Sequence, residues 1–433
     1  MGRPLFDNLR FEEPPFRDEF PPVAGKIPDR HACRQAFCRG IAGGLELVRR
    51  GRFCLFARAV AARRPWLSFP RSKKWKKPGL LSDPRIPVEH LLDYSHERLR
   101  SWCAERGLPG FRAAQIVRWV YDSPGIDFAG MSNLPKSLRE ELASTFTIWS
   151  MRVVTHRTAS DGTEKLLLET HDRKRLECVL LRDDKGNRTV CISTQIGCAM
   201  GCVFCASGLD GVERNLTTGE ILEEILQLKR LLPPDERLSH IVVMGMGEPT
   251  ANLENLLPAL SVATDKKGLG ISARRITISS VGLPAGIRRL AEADAPYHLA
   301  VSLHAPNDRL RNEIVPVNRK VGIREILDAA DAYFEKTGRR ITYEYVLLAD
   351  INDRPEHAAE LADLLRGRNA LVNLIPYNPI RELPYRKPDR RAVHRFAEVL
   401  TKNGVTVTIR HRKGDEIDAA CGQLRRAAAA EGL

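Results

Sequence analysis

The run Thr189-Val-Cys191-Ile-Ser-Thr-Gln-Ile-Gly-Cys198-Ala-Met-Gly-Cys202-Val-Phe-Cys205 decides how this chain is read. Residues 189–193 form a short apolar run rich in β-branched side chains, as a buried strand requires. Three cysteines then fall within eight residues of the loop that follows. Thiolates so spaced can converge on one soft metal centre from a single loop, and three ligands leave one coordination position open. Such an opening points to catalysis. The alternative is a four-cysteine zinc site that includes Cys191, although zinc sites usually pair short cysteine hairpins across a longer spacer.

Outward from this run the same rhythm repeats. Short apolar runs recur at 240–244, 275–279, 298–303, 342–348 and 371–375, each followed by a loop and a helical pattern. The spacing leaves room for the helical crossovers that parallel strands need. Six βα units over residues 186–424 predict an α/β fold, a partial (β/α)6 barrel of TIM type. Thr217 with Glu220 forms a capping box ahead of Ile221, Leu222, Ile225 and Leu226, which marks the first crossover helix. Upstream, strand-like runs at 165–168 and 176–181 around a turn at 171–174 predict a β-hairpin linker over 151–185. Residues 89–150 carry apolar side chains at helical spacing (Leu99, Trp102, Cys103; Ile116, Trp119, Val120; Leu138, Leu142), which predicts a small helical accessory domain. Residues 425–433 read as a tail.

The chain has 433 residues, 43% of them hydrophobic and 28% charged, which excludes fibrous and disordered classes and leaves room for two or three domains. Its net charge is +14, but residues 31–80 hold thirteen Lys or Arg and one acid, Glu46. The basic excess therefore belongs to an N-terminal extension over 1–88, expected to be partly disordered, and the rest of the chain is nearly neutral. This extension is either a tail that binds RNA or an acidic surface, or a leader without a specific role; no Met lies between Met1 and Met131, so an over-extended start gives the same pattern. No stretch approaches the roughly 20 apolar residues of a membrane helix, and the acidic, proline-containing start lacks the core of a secretory signal. A cytoplasmic protein is expected. Ten cysteines are too sparse for a disulfide scaffold, and four of them crowd between Cys191 and Cys205.

Further motifs stand at successive predicted strand ends, where barrel enzymes keep their sites. They are Gly245-Met-Gly247-Glu248-Pro249, Ser279 in Ile276-Thr-Ile-Ser-Ser-Val-Gly282, Ser302-Leu303-His304, and Asn378 in Ile375-Pro-Tyr-Asn-Pro379. Gly247 permits close backbone approach and Glu248 offers an acceptor suited to an ammonium or a hydroxyl. Each is weak alone, since a serine after a strand is usually a turn residue. Their joint order with Cys198-x3-Cys202-x2-Cys205 resembles the radical S-adenosylmethionine superfamily. More narrowly, the chain from about Leu99 to Leu424 resembles its RNA adenine-C2 methyltransferases, the dual-specificity rRNA/tRNA RlmN family.

That resemblance implies a [4Fe-4S] cluster on Cys198, Cys202 and Cys205, and two molecules of S-adenosylmethionine per methylation, one of them cleaved to a 5′-deoxyadenosyl radical. It implies that Gly247, Glu248, Ser279, Ser302, Leu303, His304 and Asn378 contact this cofactor. Cys421, in Asp415-Glu-Ile-Asp-Ala-Ala-Cys421-Gly-Gln-Leu424, matches the family cysteine that becomes S-methylcysteine. Cys191 matches the one that releases the protein–RNA adduct and leaves a Cys191–Cys421 disulfide for reduction. Glu177 matches the proton acceptor at C2, whereas its neighbour Cys178 points to the opposite face of a strand and reads as structural. The implied substrates are an adenosine of 23S rRNA and, in some members, adenosine 37 of certain tRNAs, with 89–150 as an RNA-contacting domain. A base must leave its stack to reach such a site. A flavodoxin or ferredoxin electron donor and a monomeric state complete what the family implies. Three alternatives stay open at this point: adenine-C8 methylation, against which Pro249 weighs; a non-catalytic metal-containing RNA-binding protein; and a radical enzyme acting on a small molecule. If the extension augments RNA binding through phosphate contacts, deletion of residues 1–85 will weaken RNA affinity and flatten its salt dependence while cofactor cleavage persists; affinity that is unchanged across a salt titration refutes this.

Overall fold

The computed structural model describes residues 89–123, 127–293, 295–410 and 413–424; the basic extension over 1–88 and the tail over 425–433 lie outside the described residues. The chain begins with a small module. β1 (Glu89–His90) pairs in parallel with β2 (Phe146–Thr147), and between them lie α1 (His96–Glu105), α2 (Phe111–Asp122) and α3 (Lys136–Thr145). The apolar positions read at helical spacing close its core: Leu99, Trp102, Cys103, Ile116, Val120, Leu138 and Leu142 are all buried. Ser95 starts α1 by accepting a hydrogen bond from Arg98 N at 3.1 Å.

The main sheet contains ten strands. β3 (Arg152–Thr158), β4 (Glu164–Glu169) and β5 (Arg175–Arg182) form an antiparallel meander that runs into β6 (Arg188–Cys191). β7 (Gln195–Gly197) and β8 (Val212–Asn215) form a separate antiparallel pair, and α4 (Thr218–Lys229) leads back to the main sheet. The parallel strands then follow in order with their crossovers: β9 (His240–Val243), α5 (Leu253–Thr264), β10 (Ile276–Ser280), α6 (Pro284–Ala291), β11 (His298–Ser302), α7 (Asp308–Ile314), α8 (Ile323–Thr337), β12 (Ile341–Leu347), α9 (Pro355–Leu364), β13 (Ala370–Pro376), α10 (Arg390–Lys402) and β14 (Thr406–Ile409). The spatial order is β14-β13-β12-β11-β10-β9-β6-β5-β4-β3, with all pairs from β6 to β14 parallel.

All six expected barrel strands are present, with a seventh, β14, at one edge. No pairing joins β14 to β3, so the barrel is open. The linker strands continue the barrel sheet, because β5 pairs with β6 and sets Val179 opposite Cys191. β3 adds a strand that the apolar pattern did not reveal: its residues are half-buried or exposed, and a strand so solvated carries little hydrophobic signal.

Nearly every residue of α4 is buried, because the helix lies between the sheet and the N-terminal module. The expected capping box at its start is present, with Thr217 N donating to Glu220 Oε2 at 3.0 Å and Glu220 N to Thr217 Oγ1 at 3.2 Å. Asp93 Oδ1 accepts from Gly219 N at 2.6 Å, and a Cβ on Gly219 would stand 2.1 Å from His90 Nδ1. Glu223 accepts from Ser150 N, Ser150 Oγ and Met151 N at 2.7–2.9 Å, which fastens the chain where it leaves the module. Glu224 Oε2 accepts from Ser193 N at 3.0 Å, whereas its buried Oε1 has no partner.

Burial therefore raises the Glu224 carboxyl well above its ordinary range, and it stays protonated. A folded state that binds a proton which the unfolded chain has released loses stability as pH rises above the ordinary carboxyl range, by at most about 1.4 kcal/mol per unit. The Glu224→Gln variant keeps the acceptor for Ser193 and has no proton to lose. Its stability relative to the parent, measured by urea unfolding, is expected to grow from pH 5 to pH 8 and to reach about 1 kcal/mol or more. A pH-independent difference would contradict a protonated Glu224.

Candidate active site at the barrel mouth

β7 and β8 form the base of the metal-binding loop. Cys198 N donates to Gly211 O at 3.0 Å, Cys205 N to Cys202 O at 3.1 Å, and Val203 N to Ile314 O at 3.1 Å, so each cysteine stands on a hydrogen-bonded turn. Phe204 roots the loop in an apolar cluster with Val281, Ala305, Leu310, Ile314, Val315, Val346, Leu348, Ile375 and Tyr377, separate from the main core. Burial raises all three thiols, Cys198 to about 12; charge on Cys205 raises Cys198 and Cys202, and charge on Cys198 raises Cys202. Without a metal they hold protons. Among the described residues, no three His, Cys, Asp or Glu side chains gather closely enough for a single ion. Three cysteines on one loop are a soft-donor set suited to an iron–sulfur group, and three ligands leave one position open.

The cradle residues line up at the strand ends beside the loop. Gly247 has φ +100°, and a Cβ there would stand 2.6 Å from the Gln195 side chain. Glycine thus lets Glu248 N reach Gln195 Oε1 at 2.8 Å. The buried Glu248 carboxylate accepts from Thr250 Oγ1 at 2.6 Å, Thr250 N at 3.1 Å and Val281 N at 2.8 Å. It is therefore a fixed acceptor that ties two strand ends together. Ser279 and Ser302 meet at 3.3 Å, both half-buried. Leu303 is fully buried, and its N donates to Glu344 O at 3.1 Å.

His304 adopts φ +61°, an uncommon conformation away from glycine that such sites retain only when neighbours enforce it. Val346 N donates to its Nδ1 at 3.1 Å, Asn352 Nδ2 donates to its carbonyl at 2.8 Å, and its ring meets Phe204 edge-on. Burial holds this imidazole down to about 3, so it is neutral, with its proton on Nε2. Sequence reading missed Arg311. It is fully buried and donates to the carbonyls of Val281, Ser302 and Leu303 at 2.6–3.1 Å. Its charge favours the thiolate of Cys202. Only the fold reveals this, because an arginine in a short helix ordinarily reads as solvated.

Cys191 and Cys421, 230 positions apart in sequence, line one cavity of about 830 Å3 together with Met244, Asn378, Lys387, Arg410 and Lys413. Both are free thiols, so the implied disulfide is not formed here. The segment that carries Cys421 folds back over the barrel mouth. Asn378 Nδ2 donates to Cys421 O at 3.1 Å, Ala206 N to Gly422 O at 2.8 Å, and Ser207 Oγ to Leu424 O at 2.7 Å. The Cys191 thiol is pushed up to about 12 by burial and by Cys421, while the Arg410 guanidinium pulls the other way. Arg410 also escaped sequence reading; its Nη1 meets Met244 Sδ at 3.8 Å, and negative charge on Cys421, on Glu344 or on Cys191 favours its charged form against burial.

Glu177 lies buried on β5, one register step from Val179, and both face the side on which Cys191 stands. Lys165 Nζ meets Glu177 Oε1 at 2.9 Å. Cys178 is fully buried and takes the opposite face, as strand alternation requires.

Residues 192–362 match the Radical SAM superfamily, and residues 89–148 match the ribosomal RNA large subunit methyltransferase N-terminal domain. The chain is 58% identical over 337 residues to the probable dual-specificity RNA methyltransferase RlmN of Rhodopirellula baltica, covering 78% of this chain and 91% of that one. It is 48% identical to the protein of the same name from Symbiobacterium thermophilum, over 77% and 90% of the two chains. The crystal structure of a radical SAM methyltransferase from Sphaerobacter thermophilus superposes with a TM-score of 0.76 at 42% identity, covering 78% of this chain and all of that one.

If Arg410 is what counters the burial of Cys191, Arg410→Gln will slow alkylation of Cys191 in iron-free protein about tenfold at pH 8, read by peptide mass spectrometry. An unchanged rate would show that the guanidinium does not act on this thiol.

Proposed function

The chain belongs to the RlmN family of radical SAM RNA methyltransferases, and from that we propose that it methylates C2 of a 23S rRNA adenosine, and adenosine 37 of certain tRNAs, through a methyl group carried on Cys421. When bound, a [4Fe-4S] cluster and S-adenosylmethionine supply the methyl group and a 5′-deoxyadenosyl radical. Cys198, Cys202 and Cys205 hold the cluster in a loop that Phe204 keeps apolar and that Arg311 biases toward thiolate. Gly247, Glu248, Ser279, Ser302, Leu303, His304 and Asn378 form the cofactor cradle, with Glu248 and His304 already fixed by protein donors.

The remaining work falls to residues of the cavity. Cys421 Sγ takes the methyl group, which loses one hydrogen atom to the 5′-deoxyadenosyl radical; the carbon radical left behind adds to C2, and the one electron released as the C2 proton leaves would return to the cluster, when bound. Glu177 accepts the proton from C2. Cys191 Sγ then attacks the sulfur of Cys421; the electron pair of the carbon–sulfur bond passes to the departing carbon, which takes up a proton to become the methyl group. A Cys191–Cys421 disulfide remains, and an external thiol must reduce it. The single observation that carries this reading is that both cysteines, far apart in sequence, line one cavity beside Arg410.

RNA as the partner accords with a cavity lined by Lys387, Arg390, Arg410 and Lys413. The N-terminal module offers a second contact surface, where Phe111 is 56% exposed with the Arg112 guanidinium 4.8 Å over its ring and Trp119 and Arg118 nearby. No helix among the described residues is long and apolar enough to cross a membrane. A monomer working in the cytoplasm with flavodoxin or ferredoxin as electron donor fits these properties.

Nucleoside analysis of RNA after reaction is expected to show 2-methyladenosine; 8-methyladenosine in its place would overturn the assignment of the carbon. Cys421→Ala is expected to abolish the methylated nucleoside while retaining about four irons per chain. Methyl transfer by that variant would refute the role of Cys421.

A further inference from the structure

Two of the groups assigned above come from distant parts of the chain, and one side chain touches both parts. Lys165 Nζ lies 2.9 Å from Glu177 Oε1 and donates to Asp418 O at 3.0 Å. Lys165 and Glu177 are 7% and 5% exposed, so this ion pair is shielded from water. Strand register places Lys165 opposite Val179 and Val179 opposite Cys191, so the lysine belongs to the same sheet face as the cavity wall.

Asp418 lies three residues before Cys421 and holds φ +51°, a conformation that a non-glycine residue adopts only when something holds it there. Upstream, the turn between β3 and β4 grips the same segment: Gly414 N donates to Asp161 Oδ2 at 2.9 Å, and Ser160 N donates to Glu416 Oε2 at 3.0 Å. Downstream, Asn378 and Ala206 hold the carbonyls of Cys421 and Gly422. Lys165 acts between these two grips, at the strained residue. A lysine is ordinarily solvated, but Lys165 lies buried on β4 beside Leu166, Leu167 and Leu168, and its charge is spent on a carboxylate and a carbonyl.

Resting on the roles given to Glu177 and Cys421, we propose that Lys165 is a positioning residue of the methyl transfer. Its ammonium group holds the proton acceptor and the backbone of the Cys421 segment at one buried point, and so sets where the methyl-bearing sulfur stands relative to the group that takes the C2 proton. Neither sequence motif could supply this alignment alone, because Lys165 and Glu177 stand on paired strands while Asp418 lies 253 positions from Lys165 in sequence.

The test uses the full-length holoenzyme and four variants. Lys165→Met is expected to speed amide hydrogen exchange over residues 417–421 about tenfold or more and to lower S-methylation of Cys421. Glu177→Gln, which leaves the bond to Asp418 intact, is expected to keep wild-type exchange there. Lys165→Met combined with Glu177→Gln removes the buried carboxylate that has lost its lysine, so thermal stability should recover while loop protection does not. Lys165→Arg retains a cation that can reach both acceptors, and should restore both protection and S-methylation. Wild-type exchange in Lys165→Met, or protection regained in the double variant, would reduce Lys165 to a counter-charge for Glu177 and overturn the proposal. Exchange is read without turnover, so an inactive parent enzyme would count against the functional reading alone.

Discussion

Everything in this molecule depends on the C-terminal segment lying across the open mouth of the barrel. The segment is short; Ile417, Ala419 and Leu424 join the main apolar core, and hydrogen bonds to three separate elements hold the backbone. Ala206 N and Ser207 Oγ tie it to the metal-binding loop, Asn378 to the end of β13, and Asp161 and Lys165 to the β3–β4 hairpin. Between those apolar anchors, the half-buried stretch at Cys421 is held by a few replaceable hydrogen bonds, so it can be ordered in one state and shifted in another. The proposed chemistry asks for this, because in it one sulfur meets a cofactor, a base and a second thiol in turn.

The open barrel explains why such a closure is needed. Seven parallel strands curve round without meeting β3, and the meander β3–β5 continues the sheet. The meander thereby places Val179 and Leu181 in the cavity wall with Glu177 and Lys165 on the same sheet face, and its outer turn grips the returning C-terminus. α4 holds the opposite side. With its carboxylates directed at the backbone of Ser150, Met151 and Ser193, it fixes the N-terminal module against the first barrel strand.

Much of this was legible in the sequence, for identifiable reasons. Parallel strands buried on both faces leave continuous apolar runs, so all six predicted strands are present; the capping box at Thr217 and Glu220 is a local signal, and it forms as read. The motif residues could be placed at strand ends because they follow those runs directly, and the structure gathers them at one mouth. Lys165, Arg311 and Arg410 were not legible. Each is a cation whose partners are carbonyls or side chains far away in sequence, and no local pattern separates such a cation from a solvated one. β3 was missed because its half-exposed residues carry no periodic apolar signal. The net charge of +14 pointed to nucleic acid for the whole chain, yet most of it belongs to residues 31–80, outside the described residues. RNA as the partner follows from the family and from the cavity.

The central claim is that Cys421 carries the methyl group. Protein purified anaerobically from cells grown on methionine with a deuterated methyl group should yield, on digestion, a peptide in which Cys421 bears that methyl group while Cys191 is unmodified. Iron-loaded protein, isolated from cells that methylate their RNA, in which Cys421 carries no label would contradict the account.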